Sequence, residues 1–154
     1  MSFANAHDFL QARGYADRII VLEAASGTVA EAAEALGTQP ERIAKSLSFL
    51  LDGQPIIIVT KGTARVDNRK YKAIFHSKAS MIPFGEVGAY IGHEPGGVCP
   101  FGIKDGVRVY LDRSLREFDT VYPAGGDDHS AVKLTPDELY DVSGADEWVD
   151  VCKE

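Results

Sequence analysis

The sequence predicts a mixed α/β fold, formed as one domain over residues 1–154 with a substantial sheet. A length of 154 residues is close to the commonest size of a single domain and allows one well-buried core. Hydrophobic residues make up 45% of the chain and charged residues 25%, the balance of an ordinary globular protein. Segments with strand and short-helix patterns alternate irregularly, without a repeat or a linker, which favours the mixed class.

In the first half of the chain, capping residues and apolar runs mark the predicted elements. Thr28 and Glu31 have the spacing of a capping box, and Asp67 is placed to cap a helix. The clearest β signal is a pair of apolar runs around Asp52-Gly53, a dipeptide that favours a hairpin turn. The predicted elements are a helix from Ser2 to Gly14, strands over 18–22, 47–51 and 56–59, and helices over 30–36, from Pro40, and from Asp67 to Phe75.

In the second half, the strongest signal is a helix start at Thr135. Thr135 is followed by a proline at the first helical position and then by two acids in the first turn. The segment from Ala124 to Asp128 separates two apolar runs and predicts a hairpin or loop. The other predicted elements are strands at 81–82, 107–111, 119–122 and 131–134 and a helix over 86–91.

The charge of the chain is unevenly distributed. A formal net charge of −7 argues against a protein held on nucleic acid by its overall field. Residues 61–78 reverse this sign, with six Lys and Arg against Asp67 alone. A solvated helix face and an anion-binding edge are equally good interpretations of this stretch. The apolar runs are too short for a membrane span, no signal peptide is recognisable, and two cysteines make no disulfide framework, so we expect a cytoplasmic protein.

The densest motif is the segment from Pro95 to Gly102, with three glycines and two prolines in eight residues. Such a composition predicts an ordered loop of unusual backbone geometry. The loop either cradles an oxyanion or phosphate with its N–H groups or is a plain turn between two elements. It matches neither a Walker A pattern nor a GxGxxG fingerprint, which excludes a nucleotide-binding P-loop.

Gly-Gly-Val-Cys-Pro-Phe-Gly at 96–102 resembles the GGxxPFG loop of the YbaK family, aminoacyl-tRNA deacylases similar to the editing insertion of prolyl-tRNA synthetases. Three further segments, 43–49, 62–67 and 124–139, resemble that family in the same order along the chain. The resemblance implies a single compact α/β domain with a curved, partly barrel-like mixed sheet and peripheral helices. It also implies hydrolysis of the ester between a wrongly attached amino acid and the 3′ end of a tRNA, with no metal and no organic cofactor.

The resemblance further implies the site residues. Lys45 corresponds to the family's functional lysine and is expected to neutralise the terminal phosphate or polarise the carbonyl. Backbone N–H groups of Gly97 and Gly102 are expected to stabilise the oxyanion. His129 falls where some alanine-clearing members carry a histidine, which would position water or contact the amino acid. The remaining expected substrate contacts are Ser46, Gly96, Val98, Cys99, Pro100 and Phe101.

A tRNA partner would give the basic stretch a role in binding phosphates. An aminoacyl-tRNA synthetase is a second candidate partner, and no interaction with a membrane is expected. The residues expected to contact the acceptor stem or terminal phosphates are Lys61, Arg65, Arg69 and Lys70. Three other functions stay open: a cysteine hydrolase using Cys99 and His129, a non-catalytic module that binds a synthetase, and a hydrolase of small-molecule esters. The amino acid removed is expected to be small, with tRNA(Pro) among the carriers.

Overall fold

Five α-helices surround a five-stranded sheet in the computed structural model, which describes residues 2–154. The helices are α1 (Ser2–Ala12), α2 (Val29–Leu36), α3 (Asn68–Phe75), α4 (Val87–Ile91) and α5 (Pro136–Ser143). The strands are β1 (Ile19–Val21), β2 (Ile43–Leu51), β3 (Gln54–Lys61), β4 (Arg65–Val66), β5 (Arg108–Asp112), β6 (Tyr122–Pro123), β7 (Ser130–Val132), β8 (Glu147–Val149) and β9 (Cys152–Lys153). Short 3₁₀ turns occupy Ala16–Arg18, Pro40–Arg42, Phe84–Glu86 and Arg113–Glu117.

The sheet has the strand order β6-β2-β3-β5-β8. Strands β2 and β3 form an antiparallel hairpin, and the other three strands run parallel to their neighbours. Asp52 and Gly53 both have positive φ, at 51° and 80°, which is the geometry of a tight two-residue hairpin turn. Bridges from Val121 to Leu134 and from Ala124 to Ala131 connect the β6 edge to the β1–β7 pair, so the sheet curls into a half barrel.

Both faces of the sheet are buried, which explains why β3 reads as an unbroken apolar run. Ile57 and Val59 face the larger core, which also contains residues of α1, α4 and α5. Ile56 and Ile58 face a second core, closed by α3 through Tyr71. Alternate residues of one strand therefore stabilise opposite layers.

The predicted fold class is confirmed, and the capped elements agree best. Thr28 accepts a hydrogen bond from the Glu31 N–H, Asp67 caps α3, and a complete capping box begins α5 at Thr135. The predicted strand at 81–82 is wrong: Met81 makes only an isolated bridge to Phe49, and Pro83 follows immediately. Strands β8 and β9 were not predicted.

Candidate functional site

A cavity of about 360 Å³ lies beside the exposed edge of β2. One wall is β2 itself, and the segment from Ser26 to Ala32 forms another. The cavity is closed by the first part of the glycine-rich loop, by β6 and β7, and by the segment from Met81 to Val87. Met81 and Phe84 are 58% and 79% exposed, so they form an apolar rim at its mouth.

The cavity exists because β2 lacks a neighbour over its middle residues. Strand β6 pairs only with Ile43 and Ala44. Further along, the Leu50 N–H donates to the Ser80 carbonyl at 2.8 Å, and the Ser48 carbonyl accepts from Ile82 at 3.1 Å. Between these two contacts, the main chain around Ser46 faces the cavity without a neighbouring strand.

Two hydroxyl groups in the cavity wall have no hydrogen-bond partner among the described residues. They are the Oγ atoms of Ser26 and Ser46, both buried. A third wall hydroxyl, that of Ser130, donates to Asp127 at 2.7 Å and is therefore already satisfied. Because an unpaired buried hydroxyl costs free energy, these two groups are available to a bound ligand and form the polar part of the candidate site.

The start of the glycine-rich loop lines the cavity, through Pro95, Gly96 and Val98. Within residues 2–154, neither the Gly96 nor the Val98 N–H has a hydrogen-bond acceptor. Gly97 differs, because its N–H donates to the Glu94 carbonyl at 3.0 Å. A Cβ at Gly97 would lie 2.7 Å from the main chain of Asp127, so this glycine allows two loops to pack closely. Gly97 therefore does not supply the predicted oxyanion donor.

The rest of the loop turns into the core, which corrects the expectation that it contacts substrate. Cys99 and Phe101 are fully buried in the larger core, and Pro100 lies on a different groove. Gly102 packs against the main chain of α1 at Asn5, where a Cβ would clash, and it does not line the cavity.

His93, which the sequence analysis left without a role, holds this buried half of the loop. Its Nε2 donates to the Phe101 carbonyl at 2.6 Å and lies 3.5 Å from the Cys99 sulfur. Burial lowers the pKa of His93, and the hydrogen bond to Phe101 acts in the opposite direction. Burial raises the pKa of the Cys99 thiol to about 12, so this thiol is protonated and unreactive.

Lys45 belongs to β2 and lines the cavity, and its ammonium group is directed toward the main chain of Ala64. The Nζ donates to the Ala64 carbonyl, and alternation along β2 places this side chain on the face of Phe49, opposite that of Ser46. Burial lowers the pKa of Lys45; Cys152 acts in the opposite direction, and the nearby Arg65 charge lowers it further. Lys45 and Arg65 thus form a pair of cations beside the cavity.

His129 lies next to the cavity wall and is not part of it. Its side chain is 48% exposed, and its Nδ1 lies 2.7 Å from the Asp128 carboxylate. The following residues, Ser130 and Ala131, are the ones that line the cavity.

The predicted tRNA contacts divide into exposed and occupied cations. Arg65 and Arg69 are exposed, and no carboxylate of residues 2–154 forms an ion pair with either. Lys70 donates to Asp150 at 3.1 Å and to the Cys152 carbonyl at 2.9 Å.

The prediction for Lys61 is wrong because its side chain is only 4% exposed and pairs with Glu117 and Glu154. Burial lowers the pKa of Lys61, but these two partners outweigh that effect and the pKa is raised. A tRNA phosphate therefore finds no free ammonium there.

Two kinds of feature are absent from the described residues, a membrane-spanning helix and a cluster of metal ligands. No helix of residues 2–154 is long and apolar enough to cross a membrane. Within the same range, no three His, Cys, Asp or Glu side chains come together as metal ligands.

The sequence analysis missed Ser26, Met81 and Phe84 as parts of the site. Ser26 is held there by a hydrogen bond from its N–H to the Asp128 carbonyl, 2.6 Å long. Nothing in the local sequence signals this long-range contact. The aromatic residue after Pro83 is visible in the sequence, but its exposure is not.

Comparison with known proteins identifies relatives over most of the chain. The profile of the aminoacyl-tRNA editing domain matches residues 23–142. An uncharacterized protein, YwhH of Bacillus subtilis, is 50% identical over 133 residues, which cover 86% of this chain and 85% of that protein. The proline–tRNA ligase of Bacillus subtilis is 30% identical over 104 residues, which cover 66% of this chain but only 18% of the ligase.

Two solved structures share the fold. One is described as a candidate trans-editing enzyme for prolyl-tRNA synthetase; it has a TM-score of 0.89 and 28% identity, covering 99% of this chain and 98% of that one. The other is described as the hypothetical protein APE2540, with a TM-score of 0.87 and 28% identity, covering 97% of this chain and 99% of that one.

Proposed function

Because the chain belongs to the aminoacyl-tRNA editing domain family, we propose that it is a deacylase that removes a small, wrongly attached amino acid from tRNA. The observation that carries this proposal is the composition of the cavity wall. Free hydroxyls and main chain face the cavity, while no Asp, Glu, His or Cys of the described residues lines it. Such a wall can bind and polarise a reactive ester without supplying a strong base.

The proposed reaction is hydrolysis by water. The water oxygen adds to the ester carbonyl carbon, the bond from that carbon to the ribose oxygen breaks, and the ribose oxygen takes a proton. The vicinal ribose hydroxyl of the substrate activates the water, because the wall offers no base. The amide groups of Gly96 and Val98 are free to stabilise the oxyanion, and one such donor typically contributes about 10²–10³ in rate.

The tRNA end is proposed to approach across the cations beside β2. Lys45 and Arg65 neutralise the terminal phosphates, and Arg69 extends this positive edge along α3. Lys70 contributes less because Asp150 already neutralises it. His129 is proposed to contact the amino acid or water from the rim.

The volume of the cavity supports a small amino acid as the group removed. A volume of about 360 Å³ must hold the aminoacyl group and admit part of the ribose, which favours alanine, serine, threonine or cysteine. A pocket separates amino acids that differ by one methylene by only about 1–3 kcal/mol, so several are accepted. We propose that the protein acts in trans in the cytoplasm, as one domain, on tRNA(Pro) released by its synthetase.

The test is deacylation of tRNA carrying labelled Ala, Ser, Thr, Cys or Pro. Release of a small amino acid from tRNA, with slow release from the corresponding methyl ester, is the expected result. Equal rates on both would indicate a hydrolase of small-molecule esters. No release from any of the five would leave a non-catalytic binding module.

The contribution of Lys45 is measured with a matched control. Lys45→Ala should raise KM for the aminoacyl-tRNA substrate. Lys104 is an exposed lysine that also donates to a main-chain carbonyl, that of Ala89, at 2.7 Å and away from the cavity. Lys104→Ala should leave KM unchanged, and an equal effect of the two substitutions would contradict a specific role for Lys45.

A further inference from the structure

The hairpin register fixes which way the main chain of β2 points. Leu51 and Gln54 close a two-residue turn, and such a closing pair exchanges both of its hydrogen bonds. Since these pairs alternate along an antiparallel ladder, Leu47 and Lys45 also bond to β3, while Ser46 faces away from it.

Two hydrogen bonds on the other edge confirm this alternation. The Leu50 N–H and the Ser48 carbonyl both point away from β3, to Ser80 and Ile82 respectively. Ser46 has the same parity, and β6 ends its pairing before this residue, at Ala44. The N–H and the carbonyl of Ser46 therefore both face the cavity, as a pairing position in which both groups are free, whereas the neighbouring Ser48 carbonyl is already bonded to Ile82.

We propose that the substrate's aminoacyl group occupies this position as a one-residue antiparallel strand. Its α-ammonium donates to the Ser46 carbonyl, and its ester carbonyl accepts from the Ser46 N–H. The inference rests on the proposed function and names the substrate class, esters of α-amino acids with a free amino group.

The chemistry of an aminoacyl ester matches this position. Its amino group and carbonyl flank a single Cα, just as they do in a residue of a strand, so both bonds form with one partner residue. A des-amino ester forms one of the two bonds, and a β-amino ester has an extra carbon that breaks the spacing. The Ser46 N–H becomes a donor to the developing oxyanion.

The pairing also fixes the orientation of the substrate. Two bonds to one residue require an antiparallel arrangement, which places the ammonium toward Leu47 and the ester toward Lys45. The ribose and its phosphate therefore leave the cavity on the side of the Lys45 cation. The amino-acid side chain lies on the same face as Ser46, near the apolar wall of Ile82, Val87 and Val98.

The first experiment measures binding with a probe that is not hydrolysed. The protein labelled with ¹⁵N is titrated with 3′-deoxy-3′-(L-alanylamino)adenosine, in which an amide replaces the ester, and separately with the propionyl counterpart. The alanyl compound should move the Ser46 amide proton downfield more than any other β2 amide, and the propionyl compound should bind at least about tenfold more weakly. Equal affinities, an unmoved Ser46 amide or no binding would overturn the pairing.

The second experiment removes the amide proton. Ser46→Pro deletes an N–H that no strand uses, because β2 has no neighbour on this side at Ser46 and resembles an edge strand there, which tolerates proline. It should lower kcat by about 10²–10³, as expected for a lost oxyanion donor, whereas Ser46→Ala keeps the N–H and should cost no more than about tenfold. Val21 is the matched control, because its N–H also faces outward from an edge strand and the residue, which is 72% exposed, lies outside the cavity.

These experiments separate the pairing from the proposed function. Val21→Pro should keep full activity, and a Ser46→Pro protein as active as Ser46→Ala would overturn the pairing while deacylation stands. A shifted Ser46 amide together with no deacylation of any aminoacyl-tRNA would support the pairing and contradict the hydrolase. If Ser46→Pro does not fold, the titration of the unaltered protein decides.

Discussion

Gly97→Ala tests whether this glycine is a packing contact between two loops. An added Cβ would lie 2.7 Å from the Cα and N of Asp127 and from the carbonyl carbon of Gly126, where ordinary contact begins at 3.4 Å. These are main-chain atoms, so the two loops must separate by roughly 0.7 Å. Overpacking of this kind costs about 1–3 kcal/mol of the free energy of unfolding.

Gly85→Ala is the control, because its Cβ would meet no atom within 4 Å and neither glycine has a positive φ. Urea unfolding of the three proteins gives the comparison. We expect Gly97→Ala to lose stability and deacylase activity together and Gly85→Ala to stay within about 0.5 kcal/mol of the unaltered protein. Unchanged stability of Gly97→Ala with lost activity would refute the packing role and return Gly97 to the ligand site.

Three further substitutions test other parts of the account. Cys99→Ser should keep deacylation within tenfold, because the buried thiol has a pKa of about 12; a loss above a hundredfold would restore the cysteine-hydrolase mechanism. Arg18 donates to both Glu138 oxygens, at 2.8 and 2.6 Å, and with the Thr135 N–H holds the pKa of Glu138 at about 2, so Glu138→Gln should cost about 1 kcal/mol at pH 7. This contribution is present above the usual carboxylate pKa and is lost as pH falls toward 2, so urea unfolding of the variant should show a flatter profile below pH 5; an identical profile would contradict the pairing. Phe84→Ala should raise KM for aminoacyl-tRNA about fivefold or more by removing apolar surface from the cavity mouth, while Val21→Ala, a similarly exposed residue elsewhere, should not; equal KM values would remove Phe84 from the site.

Local signals in the sequence predicted the elements that local contacts stabilise. The Asp52-Gly53 turn fixed the central hairpin and its register, and the caps at Asp67 and Thr135 located two helices. Strands β8 and β9 have three and two residues and form only by pairing with distant β5 and β4, so no local pattern marks them.

The site was predicted in part, for the same physical reason. Lys45 and Ser46 line the cavity because the register of the β2–β3 hairpin determines where each residue of β2 lies. Burial of Lys61 depends on Glu117 and Glu154, which lie far along the chain. The basic composition of residues 61–78 alone indicated an exposed cation at this position. The glycine-rich loop was identified as one unit, but its second half is pulled into the core by His93.

A crystal structure of the protein with 3′-deoxy-3′-(L-alanylamino)adenosine tests the central claim most directly, because it shows where the aminoacyl group binds. The account predicts this group between the free edge of β2 at Ser46 and the loop segment 95–98, with the ribose toward Lys45. An aminoacyl group seated in the groove between Pro100 and Tyr110, or along α3 with the β2 cavity empty, would contradict it.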